Sequence, residues 1–248
     1  MNLPFELGLG AAAFLAAVFG IAAFIRGYSG FGFAALVVSA AGLVTDPRHM
    51  VPVVLLCDLA MAIQLMQGLR GHIDWSRTGA LSGGAILGVP FGLWMLAGAD
   101  ADLVRAGIAV FILVMCAALL SGWGFGRHIG RAGTLTAGIV SGAANAAAVG
   151  GLPVAAFFAA QPVTAARFRA TLIVYFIFLD LLSVPLMGLS GMVTRDTWIA
   201  VLLSLPFVFL GNWLGGRHFL RADPQDFRKM AIGLLSLLAL LGLMKSIW

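Results

Sequence analysis

Eight long apolar runs, most of them close to the length a helix needs to cross a bilayer, constrain this chain more than any other feature. They cover residues 7–44, 50–69, 79–97, 103–122, 134–160, 170–189, 198–215 and 227–244. With 61% hydrophobic and 10% charged residues, a soluble fold would have no polar surface to turn toward water. A soluble globular enzyme, a nucleic-acid-binding domain and a disordered chain are thereby excluded. The net charge of +5 does not argue for nucleic acid, because the basic residues are scattered between the runs, where membrane topology alone puts them. The ten-residue alternation of a membrane barrel is absent, so the expected fold class is an all-α polytopic membrane protein. Trp75, Trp198, Trp213 and Trp248 stand at or near run ends, as an interfacial belt places them.

Two runs are interrupted. Residues 7–44 would be about 57 Å long as one helix, too much for a hydrocarbon core about 30 Å thick. The interruption is Arg26-Gly27-Tyr28-Ser29-Gly30-Phe31-Gly32. Residues 134–160 are interrupted near Ser141-Gly142-Ala143-Ala144-Asn145 and Gly150-Gly151-Leu152-Pro153. If all eight runs are plain crossings, the loop Arg and Lys divide six against eight, which is no bias. If both interrupted runs are re-entrant hairpins, the division is ten against four, a usable bias. That topology has three full crossings per half, inverted halves and both termini outside.

The halves also match in sequence. A shift of 123 residues lays Leu87-Gly88 on Leu210-Gly211, Gly92 on Gly215, Asp100 on Asp223 and Arg105 on Arg228. A shift of 122 lays Asp58-Leu59 on Asp180-Leu181. The expected organisation is two repeats, residues 1–123 and 124–248, each of about four helical segments with the first broken or re-entrant. Duplicated halves with broken helices are a pattern of secondary transporters.

The breaks carry the chemistry. Glycine lets the backbone expose N–H groups and lets a ligand approach closely. A half-helix that starts after a break aims its positive end at the break, and Arg26 adds a fixed cation. Together these describe an anion site inside the membrane; close helix packing is the other use of the same glycines. Asn145 is the one amide in the second interrupted stretch, and Pro153 removes a helix donor there. Asp58 and Asp180 are carboxylates in the middle of apolar runs, where an ionisable group is costly and functional by default. They read as proton relays or as partners that steady Arg26. Gln64, Gln161 and Tyr175 are weaker candidates. His49, His72, His128 and His218 fall in loops with no ligand spacing, and Cys57 and Cys116 read as small core residues. No metal motif, P-loop or nucleophile elbow is present, so neither a cofactor nor enzymatic machinery is expected.

The run from Arg26 to Ala34, then Asp46-Pro47-Arg48 and Val51-Pro52-Val53-Val54-Leu55-Leu56, resembles the opening of the TauE/SafE sulfite exporter family. Ser121-Gly122-Trp123, and Gly150-Gly151-Leu152-Pro153 followed by Gln161-Pro162, resemble its later segments, although Ala146–Ala148 stands where more glycine is expected. The resemblance implies a multi-pass permease of the bacterial inner membrane that exports sulfite, sulfonates such as sulfoacetate, or related small sulfur-containing anions. The expected mechanism is alternating access with the anion at midplane between the breaks. Arg26 would supply charge, and Ser29, Gly30, Gly32, Asn145, Gly150, Gly151 and Pro153 would shape or line the site. Asp58 and Asp180 would couple transport to protons or hold Arg26. The partners are then a small anion and the lipid bilayer, with no nucleic acid and no metal. A passive anion channel and a non-transporting accessory subunit are the alternatives.

Overall fold

The computed structural model describes residues 4–65, 71–121 and 129–219, together with Ser236 and Leu240. Among the described residues the chain forms one short 3-10 turn and nine α-helices, without strands. The helices are α1 (Leu9–Ser29), α2 (Phe33–Ala41), α3 (Pro47–Leu65), α4 (Trp75–Ala97), α5 (Ala101–Leu120), α6 (Arg131–Asn145), α7 (Gly151–Ala159), α8 (Ala165–Leu189) and α9 (Arg195–Phe219). Six of them (α1, α3, α4, α5, α8 and α9) are long and apolar enough to cross a membrane. The fold is therefore the expected all-helical membrane type. The last apolar run lies outside the described residues apart from two positions, and so does the expected boundary between the halves.

The outer surface is apolar. Leu87, Phe91 and Trp94 of α4 and Leu202, Leu203 and Leu210 of α9 are exposed. A water-soluble protein rarely carries such a surface; lipid tails cover it without cost. Trp75 and Trp198, exposed at or near the starts of α4 and α9, occupy positions suited to an interfacial belt.

Both interrupted runs fold back on themselves. In the first, Gly30 (φ 85°) ends α1 in the left-handed conformation, its N–H donating to the Arg26 carbonyl at 2.7 Å. Gly32 (φ 96°) then caps α2. In one continuous helix, Phe19 and Phe33 would stand about 21 Å apart. Their rings instead meet edge-on at 5.7 Å, so α2 doubles back beside α1. All but one residue of α2 are buried, which places this half-helix in the protein interior rather than against lipid.

The second break falls between the two segments that the sequence marks, Ser141–Asn145 and Gly150–Pro153. The chain leaves the helix at residues 146–150, upstream of Pro153, and the left-handed position there is Ala148 (φ 58°) rather than a glycine. Pro153 does not kink a helix. It sits in the first turn of α7, where its missing N–H would have had no partner in any case.

Two helix pairs surround this centre: α1 packs along α9, and α4 along α6. Both are backbone-to-backbone contacts through glycine. A Cβ at Gly88 would lie 2.1 Å from the Ile139 carbonyl oxygen, and one at Gly215 would lie 2.0 Å from that of Phe24. Between the pairs, α3 and α8 pack on each other and carry the mid-membrane carboxylates. Arg105 of α5 donates from Nε to the Gly42 carbonyl at 2.8 Å, satisfying the end of α2.

Candidate functional site

Arg26 lies one turn before the end of α1 and is 1% exposed. Its guanidinium grips Asp58 of α3 with two contacts, Nε to Oδ1 at 2.5 Å and Nη2 to Oδ2 at 2.7 Å. This is the forked geometry that makes Arg–carboxylate pairs strong. The third nitrogen, Nη1, is buried and has no hydrogen-bond partner among the described residues. Asp180 of α8 is 2% exposed, and its Oδ2 also lacks a partner among them. Asp58, Arg26 and Asn145 are its electrostatic neighbours.

These groups face a small cavity of about 30 Å³ between the two breaks. Gly32, Phe33, Ala34 and Ala35 line one wall. The last three form the first turn of α2, whose N–H groups have no carbonyl partner within the helix. The Gly32 cap supplies no side-chain acceptor for them. Gly151 and Leu152, opening α7, line the facing wall. That end offers fewer donors, since Leu152 N–H already bonds the Val149 carbonyl at 3.2 Å and Pro153 has none. The cavity thus holds an unsatisfied guanidinium nitrogen, the positive end of a nine-residue half-helix and a carboxylate with a free oxygen. Its donors favour an anion with several oxygens.

Of the residues expected at the site, Arg26, Gly32, Asp58, Asn145, Gly151 and Asp180 line the cavity. Ser29, Gly30, Gly150 and Pro153 instead shape the breaks. The Ser29 hydroxyl lies 2.8 Å from the carbonyls of Ile25 and Phe31. A Cβ at Gly150 would come within 2.5 Å of the Ser141 carbonyl oxygen, so only glycine allows the second fold-back at this spacing. Gln64 and Gln161 serve packing. Gln64 accepts from Asn212 Nδ2 at 2.7 Å, and Gln161 bonds the backbone at Ile129 and Phe157. His49 and His218 lie on helices α3 and α9 rather than in loops, and His49 stacks on Phe5. His128 lies outside the described residues. Among the described residues no group of His, Cys, Asp and Glu could hold a metal ion.

Three contributions are not apparent from composition. Arg169, which the sequence presents as a charge at a run edge, sits on α8 and donates from Nη2 to the Gly27 carbonyl at 2.7 Å. It packs against Gly30 and so secures the end of α1. Ser183 accepts from Asn145 Nδ2 at 3.0 Å, and Phe176 covers Gly151. Phe176, Asp180 and Ser183 follow the i, i+4, i+7 spacing of one helix face, a signal present in the sequence once Asp180 is taken as the reference.

The second break hangs on a buried relay. Tyr175 donates to Ser141 Oγ at 2.9 Å, and Ser141 donates to the Gly150 carbonyl at 2.7 Å. Tyr175→Phe removes the first donor without changing shape. It is expected to lower stability by about 1 kcal/mol, read as a drop in Tm of the detergent-solubilised protein. An unchanged Tm would show that the relay does not hold the break.

Compared with known protein families, the chain matches the one described as Sulfite exporter TauE/SafE over residues 14–241. No curated protein and no solved structure matches it.

Proposed function

The chain belongs to the TauE/SafE sulfite exporter family of membrane transporters, and from that premise we propose that it is a secondary carrier exporting sulfite or a related organosulfonate across a bacterial inner membrane. The anion occupies the cavity between the two breaks. The observation that carries this reading is the Nη1 of buried Arg26, without a partner among the described residues, beside first-turn amides of α2 that also lack one among them. A buried guanidinium nitrogen without a partner is costly, and an oxyanion supplies the missing acceptor. Asp58 and Asp180 place carboxylates at the same point, as proton coupling requires.

Alternating access through two inverted repeats fits the packing. If α1, α2, α3 and α4 correspond to α6, α7, α8 and α9, then the α1–α9 contact is the counterpart of α6–α4, and α3–α9 the counterpart of α8–α4. Gly88 and Gly92, which a shift of 123 residues lays on Gly211 and Gly215, lie at close backbone approaches in α4–α6, and Gly211 and Gly215 do so in α1–α9. Rocking one pair against the other would expose the cavity to each side in turn.

The test is a thermal-shift screen of the purified protein against sulfite, sulfate, thiosulfate, sulfoacetate, taurine and carboxylates, followed by flux in liposomes. An anion at about 100 times its Kd stabilises by about 2.7 kcal/mol. A selective shift with sulfite or a sulfonate, and saturable counterflow of the same ion, is the expected result. A flat screen would rule out the anion site, and flux without saturation or counterflow would make the protein a channel.

A further inference from the structure

The two carboxylates of the cavity are not equivalent, and their difference refines the anion-carrier reading on which this inference rests. Asp58 has both oxygens engaged by Arg26, so that pair is already neutral. Asp180 lines the same cavity and has a buried oxygen with no partner among the described residues. Among the described residues, no second cation faces Asp180 from the helices packed on α8. From α3 comes Asp58, while Arg48 and His49 are confined to that helix's first turn. From α6 comes Asn145, with Arg131 at the far end. From α4 comes Arg77, which pairs with Asp74 at 3.5 Å and lies over Phe158. No titratable side chain comes from α7. On α8 itself, Tyr175 bonds Ser141 and Ser183 bonds Asn145, while Arg169 bonds the Gly27 carbonyl at the start of the helix.

An entering monoanion therefore finds one positive charge and one negative charge already matched. If Asp180 were ionised as well, the buried site would hold two uncompensated negative charges side by side, which a low-dielectric interior does not support. With a proton on Asp180, only the anion's own charge remains, and this cavity-lining carboxyl becomes an O–H donor. We infer that Asp180 carries the one proton that accompanies the anion and donates it as a hydrogen bond, while Asp58 serves only to position Arg26. The proton comes from the water on the loading side, forms the Asp180 O–H bond, and returns to water as the anion is released on the other side; no bond to the anion is made. Each transported monoanion then carries one proton with it, so the step is electroneutral and runs in whichever direction the combined anion and proton gradients set.

The pH dependence of sulfite binding to wild type and to Asp180→Asn tests this, measured by equilibrium dialysis of labelled sulfite from pH 6 to 9. Protonation of sulfite itself affects both proteins equally, so the difference in slope is the readout. On the alkaline side, wild-type affinity is expected to fall more steeply than that of D180N, by up to about tenfold per pH unit, the dependence of one linked proton. The D180N amide donates without a proton to lose. Equal slopes would overturn the proposal and leave the anion site standing. No sulfite binding by wild type at any pH would overturn the anion reading and this one together. Should D180N fail to fold, infrared difference spectra of wild type decide the matter. The sulfite complex must show the carbonyl stretch of a protonated carboxyl, and a complex without it overturns the proposal.

Discussion

Arg26→Ala is expected to weaken sulfite binding by about 10- to 150-fold, given that a hydrogen bond to a charged group contributes about 1.5–3 kcal/mol and one nitrogen, Nη1, is available to the anion. The structure adds a second consequence: of the two roles the sequence leaves open for Asp58, it shows the one that holds Arg26. Arg26 is the forked partner of buried Asp58, so truncating it strands a carboxylate in the interior. Breaking a buried ion pair from one side costs about 3–5 kcal/mol. A loss of binding in R26A could therefore be blamed on poor folding. The double variant Arg26→Leu with Asp58→Leu separates the two effects. Removing both charges leaves neither member of the pair stranded, so stability should return to within about 1–2 kcal/mol of wild type, while sulfite binding stays weakened. Thermal unfolding and dialysis of the three proteins check this. A double variant that folds and binds sulfite as tightly as wild type would remove Arg26 from the site.

The largest effect on stability is expected at the glycines between helices. Gly88→Ala sets a methyl carbon 2.1 Å from the Ile139 carbonyl oxygen, and Gly215→Ala sets one 2.0 Å from that of Phe24. Neither neighbour is a flexible side-chain end that can swing away. Both are backbone, so whole helices must part. Each substitution is expected to cost on the order of 3 kcal/mol and to reduce the yield of folded protein sharply. Gly107→Ala in α5 is the control, since nothing lies within 4 Å of a Cβ there. It is expected to be neutral or to stabilise by about 0.5–1 kcal/mol, the ordinary gain of Ala over Gly inside a helix. Similar Tm values for G88A, G215A and G107A would show that the backbone contacts do not carry the fold.

These glycines also show why so much of the molecule could be read from the chain. Gly88 and Gly92 align with Gly211 and Gly215 in sequence, and each set sits at a close backbone approach of two helices. Which helix each would meet could not be read. In lipid, apolar pattern does not choose helix partners, because tails are as apolar as Leu. The choice of α9 for α1, and of α6 for α4, comes from the fit of small residues against a neighbour's backbone, and that fit exists only in three dimensions.

The second break makes the same point at the scale of one turn. Glycine and proline at residues 150–153 drew attention to the right segment. The chain turns a few residues earlier, at Ala148, because Ser141 and Tyr175 hold the Gly150 carbonyl from outside the break. Local propensity marked the place, and tertiary hydrogen bonds set the residue.

The sequence by itself determined the helical membrane class, most helix positions, the two breaks and the chemistry available at them. The bilayer enforces this, since it accepts only spans of a certain length with every backbone group satisfied. Arg26, Asp58, Asn145 and Asp180 were visible for the same reason, as polar groups where apolar ones are the rule. Only the tertiary structure decided that Arg26 pairs with Asp58, that Asp180 keeps an oxygen without a partner among the described residues, and that Arg169 holds the end of α1. Those outcomes depend on distances of a few ångströms between side chains on different helices, set by how the helices pack.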